Sequence, residues 1–321
     1  MKGSTKFWLI ASAVLIFSGS ILFVGVMASV NWDFRRLATV QYVTNSHEIT
    51  EAFENIALET DTADIRFVMS EDGKCRVECT EEEKATHSVA VNEGTLVIRV
   101  NDQRKWYEHI GISIGSPRIT VYLTKSEFAR LSVRGSTGDV EVAKDFLFSE
   151  VDISLSTGDV RYGASASGNV RIKLSTGDLF VEGISAGSLE LITSTGNVVA
   201  SGTVCLGDFS VHVTTGKVRM TDVSCKNLTA TGSTGDLLLT RVIAEERCAV
   251  ERSTGDIIFE RSDAAEISVI TETGDVTGSL LTGKTFISHS DTGKVVLPDS
   301  TLGGRCEITT DTGDIRITVD G

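Results

Sequence analysis

Proline and basic side chains are scarce in this sequence, and both scarcities restrict what the protein can do. Only two of the 321 residues are proline, against 30 glycines, so tight turns must depend on Gly, Asn and Asp. Lys and Arg together number 30 against 44 Asp and Glu, which gives a formal net charge of -14. Such a surface repels nucleic acid and anionic lipid, and no basic stripe is present, so we expect no nucleic-acid partner.

Charge is absent altogether from residues 7–30, a run of 24 positions near the N-terminus. At about 1.5 Å per residue, a helix of this length crosses a hydrocarbon layer of roughly 30 Å. The run predicts one transmembrane helix, preceded by a short tail (1–6) and followed by a tether (31–52). A cleaved signal peptide is the alternative, with Lys2 and Lys6 as its basic start, although the apolar stretch is longer than signal peptides usually have.

The charges that flank this apolar segment nearly balance, with Lys2 and Lys6 before it and Arg35 and Arg36 after it. A short tail followed by a large acidic domain favours the tail inside and the domain outside. We therefore expect a single-pass membrane protein with an extracytoplasmic domain at the cell surface. A domain that faces the cytoplasm is the alternative.

A Thr-Gly pair recurs ten times in the rest of the chain, with a spacing of 19 or 20 residues between glycines. The pairs are Thr137 and Gly138, Thr157 and Gly158, Thr176 and Gly177, Thr195 and Gly196, Thr215 and Gly216, Thr234 and Gly235, Thr254 and Gly255, Thr273 and Gly274, Thr292 and Gly293, and Thr312 and Gly313. A period of this length is typical of solenoid proteins. We call each pair, with the residue that follows it, a corner.

Apolar residues recur at fixed distances from every corner glycine. One column lies seven residues before the glycine, from Leu131 to Cys306, and another lies two residues after it, from Val140 to Ile315. Alternation with period two on both sides of the corner indicates two short strands in each repeat. One repeat cannot bury its own apolar face, so successive repeats must stack about 4.8 Å apart with equivalent strands parallel.

The pattern therefore predicts an all-β fold, a single-domain parallel β-solenoid of ten to eleven turns behind one transmembrane helix. Regular repeats occupy residues 131–321. Residues 53–130 form an irregular first part and a cap, in which Ala63 takes the place of an eleventh corner glycine.

The corner S-T-G-D-V, which stands at 136–140 and again at 156–160, resembles the toast-rack family of bacterial adhesin-like proteins, a domain of unknown function. The resemblance includes the single N-terminal membrane segment and covers about residues 53–320. It implies a one-domain β-solenoid, often tethered to a membrane, in envelope-associated proteins. The family supplies no catalytic residues.

Carboxylates follow most corner glycines, and their role has two interpretations. In the first, Thr and Asp side chains bond backbone amides across the bend, which is ordinary turn chemistry. In the second, carboxylates stacked at about 4.8 Å repel one another and recruit Ca²⁺. Asn197 and Lys217 interrupt the column. They divide the carboxylates of the calcium hypothesis into two blocks: Asp139, Asp159 and Asp178, and then Asp236, Asp256 and Asp275.

Apolar side chains also occur in an outward column, three residues after the glycine. They are Phe180, Val199, Leu238, Ile258 and Val296. A stripe of exposed apolar residues marks either a binding face for a protein or glycan partner or a surface that the cap or tether covers.

Two further expectations concern the C-terminal end and the cysteines. The chain stops just after its last strand, which would leave an unpaired edge with Asp320 as the only charged gatekeeper, so we expect homo-oligomerisation or a covering partner there. Cys205 and Cys225 lie at near-equivalent places on adjacent turns, where a disulfide can form if the domain is extracytoplasmic.

The sequence shows no phosphate-cradling glycine loop, nucleophile elbow or cluster of metal ligands, so we expect no enzyme activity and no cofactor. The favoured function is a membrane-anchored, non-catalytic envelope protein whose acidic solenoid binds a partner, in an adhesin-like, structural or sensory role. A self-assembling membrane-attached scaffold is the first alternative. A solenoid enzyme that acts on polysaccharide through Asp residues is the second.

Overall fold

The structure is a computed structural model that describes residues 3–33, 36, 40–106, 115–299 and 302–320. It begins with helix α1 (Gly3–Ser29), and the expected apolar helix is therefore present. Its segment Thr5–Ser29 is long and apolar enough to cross a membrane, and its most apolar window is not buried by the rest of the protein. The remainder of the described chain is almost entirely β structure.

Within the residues that the structure describes, twenty-six strands follow the helix. They are β1 (Tyr42–Glu48), β2 (Asn55–Thr62), β3 (Asp64–Met69), β4 (Arg76–Glu82), β5 (Ala85–Asn92), β6 (Thr95–Asp102), β7 (Arg118–Leu123), β8 (Glu127–Thr137), β9 (Val140–Val142), β10 (Leu147–Thr157), β11 (Val160–Tyr162), β12 (Ser165–Ala166), β13 (Asn169–Thr176), β14 (Leu179–Glu182), β15 (Ser185–Ala186), β16 (Ser188–Thr195), β17 (Val198–Cys205), β18 (Asp208–Thr215), β19 (Val218–Thr234), β20 (Leu237–Thr254), β21 (Ile257–Thr273), β22 (Val276–Leu280), β23 (Lys284–Thr292), β24 (Val295–Val296), β25 (Gly304–Thr312) and β26 (Ile315–Val319).

The strands stack in parallel as predicted, with equivalent residues of successive repeats in register. Strands that precede the corners form a first face, in the spatial order β6, β2, β8, β10, β13, β16, β18, the second halves of β19, β20 and β21, then β25 and β23. Strands that follow the corners form a second face, in the order β7, β3, β9, β11, β14, β17, the first halves of β19, β20 and β21, then β22, β26 and β24. We call one stacked pair of strands a level.

The hydrophobic core lies between the two faces. Val151, Ile153 and Leu155 on the first face and Val160 on the second are buried, whereas Asp152 and Ser154 alternate with them and point outward. A short third side closes each level. It begins with stacked phenylalanines, such as Phe128 and Phe148 with ring centroids 6.0 Å apart, and continues with small residues.

A cap of antiparallel strands covers the first end of the stack. Strand β5 pairs with β6, β4 pairs with β7, and β1 pairs with β4. Strand β1 lies within the segment that the sequence indicated as a tether. The cap therefore satisfies the edge of the first level, which would otherwise present unpaired backbone groups.

At the other end, the last two levels stack in the reverse of their chain order. Strand β25 lies between β21 and β23, and β26 lies between β22 and β24. The unpaired edge predicted at the final strand lies instead at β23 and β24, because β25 and the first two residues of β26 have a partner on each side. Self-association at this end stays a prediction. The outermost level is β23 and β24, and the regular solenoid amounts to about nine turns.

The polarity of the inward side chains explains why β23 and β24, which come first in the chain, form the outermost level. Inward positions of β23 carry Ser288 and Ser290, whereas β25 places buried Ile308 opposite Ser288. Exposure of serine at an open end costs less free energy than exposure of isoleucine. Outermost β24 leaves Val295 and Val296 43% and 51% exposed.

A buried ion pair ties the outermost level across the inserted one. The Nζ of Lys284 in β23 lies 2.6 Å from Oδ1 of Asp263 in β21, and both side chains are almost completely buried. Thr282 donates a hydrogen bond to the other carboxylate oxygen at 2.6 Å. Because removal of either charge would leave its partner buried and unpaired, this pair favours the exchanged order.

Engineered disulfides test the exchanged order directly. Ile270 is paired in register with Thr309, and Thr309 with His289, on the outward side of the first face. We expect I270C/T309C to form an intramolecular disulfide on mild oxidation, because paired residues on adjacent strands lie within disulfide range. The control I270C/H289C spans two levels and should stay reduced, as judged by thiol labelling and mass spectrometry. A disulfide in I270C/H289C but not in I270C/T309C would show that the last two levels stack in chain order.

Candidate functional surfaces

Corner glycines are required because successive corners stack in direct contact. Gly158 has φ +137°, a conformation that side-chain-bearing residues rarely adopt, and a Cβ on it would overlap the carbonyl oxygen of Gly138. The backbone ladder continues through the bend, since Gly158 N–H donates to Thr176 O at 3.0 Å and Val160 N–H donates to Asp178 O at 3.0 Å. The corner is therefore a hydrogen-bonded element and not a loop.

The residue after each glycine forms a second ladder through its side chain. Oδ1 of Asp139 accepts a hydrogen bond from the backbone N–H of Asp159 at 2.8 Å, and Oδ1 of Asp159 accepts one from Asp178 at 2.9 Å. The same bond joins nine pairs of adjacent corners, from Asp64 at the first level to Lys294 at the last, at 2.7–3.3 Å. Eight aspartates, of which Asp64 is the first, and one asparagine accept these nine hydrogen bonds.

The two lysines of this column occupy the positions where the ladder breaks or ends. Lys217 cannot accept the N–H of Asp236, and its ammonium instead lies 2.9 Å from an Asp236 carboxylate oxygen. That hydrogen bond lowers the pKa of Asp236. Lys294 stands in the outermost level, where no further corner needs an acceptor. The exchanged strand order thus explains why a lysine is tolerated there.

This ladder supports the turn-chemistry interpretation of the carboxylates. One oxygen of each bonded aspartate is committed to a backbone amide, which leaves at most one oxygen per level for a cation. Ca²⁺ prefers six to eight oxygen ligands. Calcium binding by Asp139, Asp159 and Asp178, or by Asp236, Asp256 and Asp275, stays a prediction that calorimetry at millimolar Ca²⁺ tests.

The outward column of the second face brings the predicted apolar residues together in two pairs. Phe180 lies next to Val199, and Leu238 lies next to Ile258. All four are half-buried, and Val296 ends the column in the outermost level. Arginines flank the apolar pairs, and the apolar positions alone did not reveal them. The column reads Glu141, Arg161, Phe180, Val199, Arg219, Leu238, Ile258, Thr277, Arg316, Val296.

The thiols of Cys205 and Cys225 lie on the buried third side. Val204 pairs with Ser224, so the two cysteines are the next residues along adjacent strands. Both are free thiols here, and burial is the main cause that raises their pKa values, to about 12 for Cys225. Their disulfide stays a prediction that depends on the compartment.

A cleft of about 330 Å³ lies where the cap meets the first corner. Carboxylates of Asp61, Asp64 and Glu82 line it together with Arg104. The guanidinium of Arg104 lies 2.8 Å from Glu82, and its hydrogen bonds to Asp102 and Glu82 raise its pKa further. His87 lines the same cleft from the cap.

Behind this cleft, the cap contains a buried cluster that sequence reasoning missed. Cys79, Glu81 and His87 each offer one donor atom, and these atoms lie within 4.8 Å of one another. Burial, assisted by the nearby Glu81 charge, raises the pKa of Cys79 to about 12. The available signal was the Cys-x-Glu alternation on β4, which places both side chains on one face, followed by a tight hairpin that returns His87 to the same place.

A family model described as Toastrack DUF4097 matches residues 53–205 and 198–321, which together span the whole solenoid. The chain belongs to the toast-rack family. The expected resemblance is therefore confirmed. No curated protein matches this toast-rack chain.

Several solved structures resemble this chain over most of its length. A "putative adhesin" from Parabacteroides distasonis aligns with TM-score 0.49 and 10% identity over 88% of this chain and 98% of that one. A "putative adhesin" from Bacteroides fragilis gives TM-score 0.43 and 14% identity over 87% and 97%. A "putative lipid binding protein" from P. distasonis gives 0.41 and 16% over 86% and 96%. With TM-scores below 0.5, these likenesses carry no functional inference.

Substitutions in the aspartate ladder of this toast-rack domain test its structural role. We expect D159A to lower the free energy of unfolding by about 1 kcal/mol, because the Asp178 amide loses its acceptor. The control D159N keeps an acceptor oxygen and should stay near wild type. Conversely, K217N supplies the acceptor that Asp236 lacks and should raise stability slightly. Denaturant unfolding of the full chain in detergent measures all three. Equal losses in D159A and D159N would show that charge, and not the hydrogen bond, matters here.

Proposed function

We propose that this toast-rack protein is a membrane-anchored, non-catalytic binding protein of the cell envelope, with its solenoid outside the cytoplasmic membrane. The observation that carries the proposal is the outward column of the second face, in which arginines alternate with pairs of apolar residues. The helix holds the protein at the membrane, and the solenoid presents this column on a rigid surface.

The anchor is supported by composition and by exposure. Helix α1 has no charged residue between Phe7 and Ser29, and its large apolar side chains are exposed in the protein alone except for Met27 near its end. A helix that is apolar on all sides and buries almost none of its surface in protein needs a hydrocarbon environment. Its length exceeds that of the usual apolar region of a signal peptide, which favours a retained anchor.

The binding face is supported by the chemistry of its column. The guanidinium of Arg161 lies 5.1 Å from the centroid of the Phe180 ring, which orients both groups at the surface. Arg161 and Arg316 contact the corner carboxylates of Asp159 and Asp314 only at 3.9 and 3.6 Å, and these exposed ion pairs contribute little. Arginine and aromatic side chains are the types that dominate binding interfaces. The column therefore suits a protein or glycan partner that combines anionic and apolar groups.

The two alternative functions have less support. The scaffold alternative was predicted from an unpaired final strand, and the open edge lies at β23 and β24 instead. A polysaccharide-acting enzyme depended on corner aspartates, and the ladder commits one oxygen of each bonded aspartate to the backbone. The binding role uses side chains that the fold itself does not need.

Membrane topology is the first expectation to test. We expect a membrane-impermeant protease to digest the solenoid in intact cells, because the proposal places it outside. The measurement is a blot for the domain in intact and in lysed cells, with a cytoplasmic protein as the control for leakage. Protection of the domain until lysis would contradict the extracytoplasmic placement.

The second expectation concerns which face of the solenoid binds a partner. A photo-crosslinking amino acid placed at Val199 should form adducts in living cells, because this position lies within the column of the second face. The matched control is the same amino acid at Thr229, which points outward from the first face. Adducts from both positions in equal amounts, or from Thr229 alone, would show that the column is not the binding face.

A further inference from the structure

The buried cap cluster has the composition of a transition-metal site. We infer that Cys79, Glu81 and His87 bind one divalent metal ion of the zinc class, which holds the cap to the first level of the solenoid. A thiolate, an imidazole and a carboxylate form a ligand set that zinc accepts, whereas Ca²⁺ and Mg²⁺ prefer oxygen ligands alone.

The donor atoms converge because of strand alternation and a hairpin. Cys79 and Glu81 are two residues apart on β4 and therefore point to the same face, into the interior of the cap. The turn after Glu82 pairs this residue with Ala85 and returns the chain, so that His87 on β5 points back to the same place. All three side chains are buried.

Partners beyond the three donors orient them in the way that metal sites require. Nδ1 of His87 lies 2.7 Å from Oε2 of Glu81, and Nε2 of His87 lies 2.9 Å from the hydroxyl of Thr60. In the metal-free protein the Nδ1–H of His87 donates to the Glu81 carboxylate. A metal ion would replace that proton, and Nε2–H would then donate to the hydroxyl of Thr60. The other oxygen of Glu81 accepts a hydrogen bond from Asn45 at 2.6 Å. Metal-bound imidazoles and carboxylates characteristically have such outer partners.

Charge also favours a cation at this point. Glu81 is 1% exposed, and within the described parts of the chain its only ion-pair partner is His87. A buried carboxylate is stabilised by hydrogen bonds or by a positive charge. Glu81 accepts hydrogen bonds from Asn45 and from the backbone N–H of His87, each at 2.6 Å. A divalent ion between Glu81 and the Cys79 sulfur would add the positive charge.

A second imidazole lies on the same face of the cap. Nε2 of His47 is buried and has no hydrogen-bond partner. The register of β1 and β4 places His47 opposite Val77 and Asn45 opposite Cys79. His47 is therefore diagonal to Cys79, at a Cα separation of about 7–8 Å, and lies outside the group of three donors, where it can bond a metal-bound water.

The position of the cluster indicates a structural role. The donors come from β4 and β5, while Thr60 belongs to β2 of the first level and Asn45 to β1. A bound ion would thus connect the two antiparallel cap strands to the parallel stack. The neighbouring cleft, which His87 lines, provides a route for entry.

The test uses the full chain in detergent micelles, freed of metal with a chelator and then titrated with Zn²⁺ or with Co²⁺ as a spectroscopic probe. We expect about one Zn²⁺ per chain by elemental analysis, a rise in the unfolding temperature, and a sulfur-to-cobalt charge-transfer band in the near ultraviolet. The variant C79S should lose the band and the temperature rise. The control C306S, which removes a buried thiol outside the cluster, should keep both.

Two results would overturn the assignment: no stoichiometric metal on the wild-type chain, or a charge-transfer band that survives in C79S. If C79S does not fold, X-ray absorption of the zinc-loaded wild-type protein decides the matter instead. A spectrum with one sulfur at about 2.3 Å among nitrogen and oxygen ligands is expected. A spectrum without a zinc–sulfur contribution rejects the site.

Discussion

Close stacking of the corner glycines is the constraint on which the rest of the structure depends. Each corner glycine lies against the carbonyl group of the corner one level away, and nine of the ten have a φ that glycine tolerates and other residues avoid. Since every level repeats the same bend, the strands before and after it stay in register along the whole rod. Inward apolar columns can then form one continuous core, although no single level buries enough apolar surface to form a core by itself.

The ends of the stack present a different physical problem, because a parallel solenoid leaves unpaired backbone groups and an open core at both. The N-terminal end is covered by antiparallel strands β5, β4 and β1. At the C-terminal end, two other features reduce the exposure of the core. The more apolar final repeat lies inside, and the outermost strand carries serines at inward positions. Pro298 follows that level and cannot donate a backbone hydrogen bond to a further strand.

A division between architecture and function follows from these contacts. Thr, Gly and Asp at the corners are used by the fold, through backbone and side-chain ladders. Side chains that the stacking contacts do not use remain in the outward column of arginines and apolar pairs. Others remain within the cap, where the repeat pattern is broken. In irregular segments of a solenoid, side chains need not repeat the contacts that join one repeat to the next.

Period and polarity alone determined the helix, the parallel solenoid, its corners and its inward columns, because each depends on local alternation repeated ten times. The same pattern predicted that Phe180 would contact Val199 and that Leu238 would contact Ile258, since register follows from the period. Only the tertiary structure decided the order of the last two levels, because the choice between β23 and β25 depends on a buried ion pair and on which side chains face the open end. Only the tertiary structure likewise assembled Cys79, Glu81 and His87 with Thr60 and Asn45, because antiparallel cap pairing joins strands that no sequence period relates.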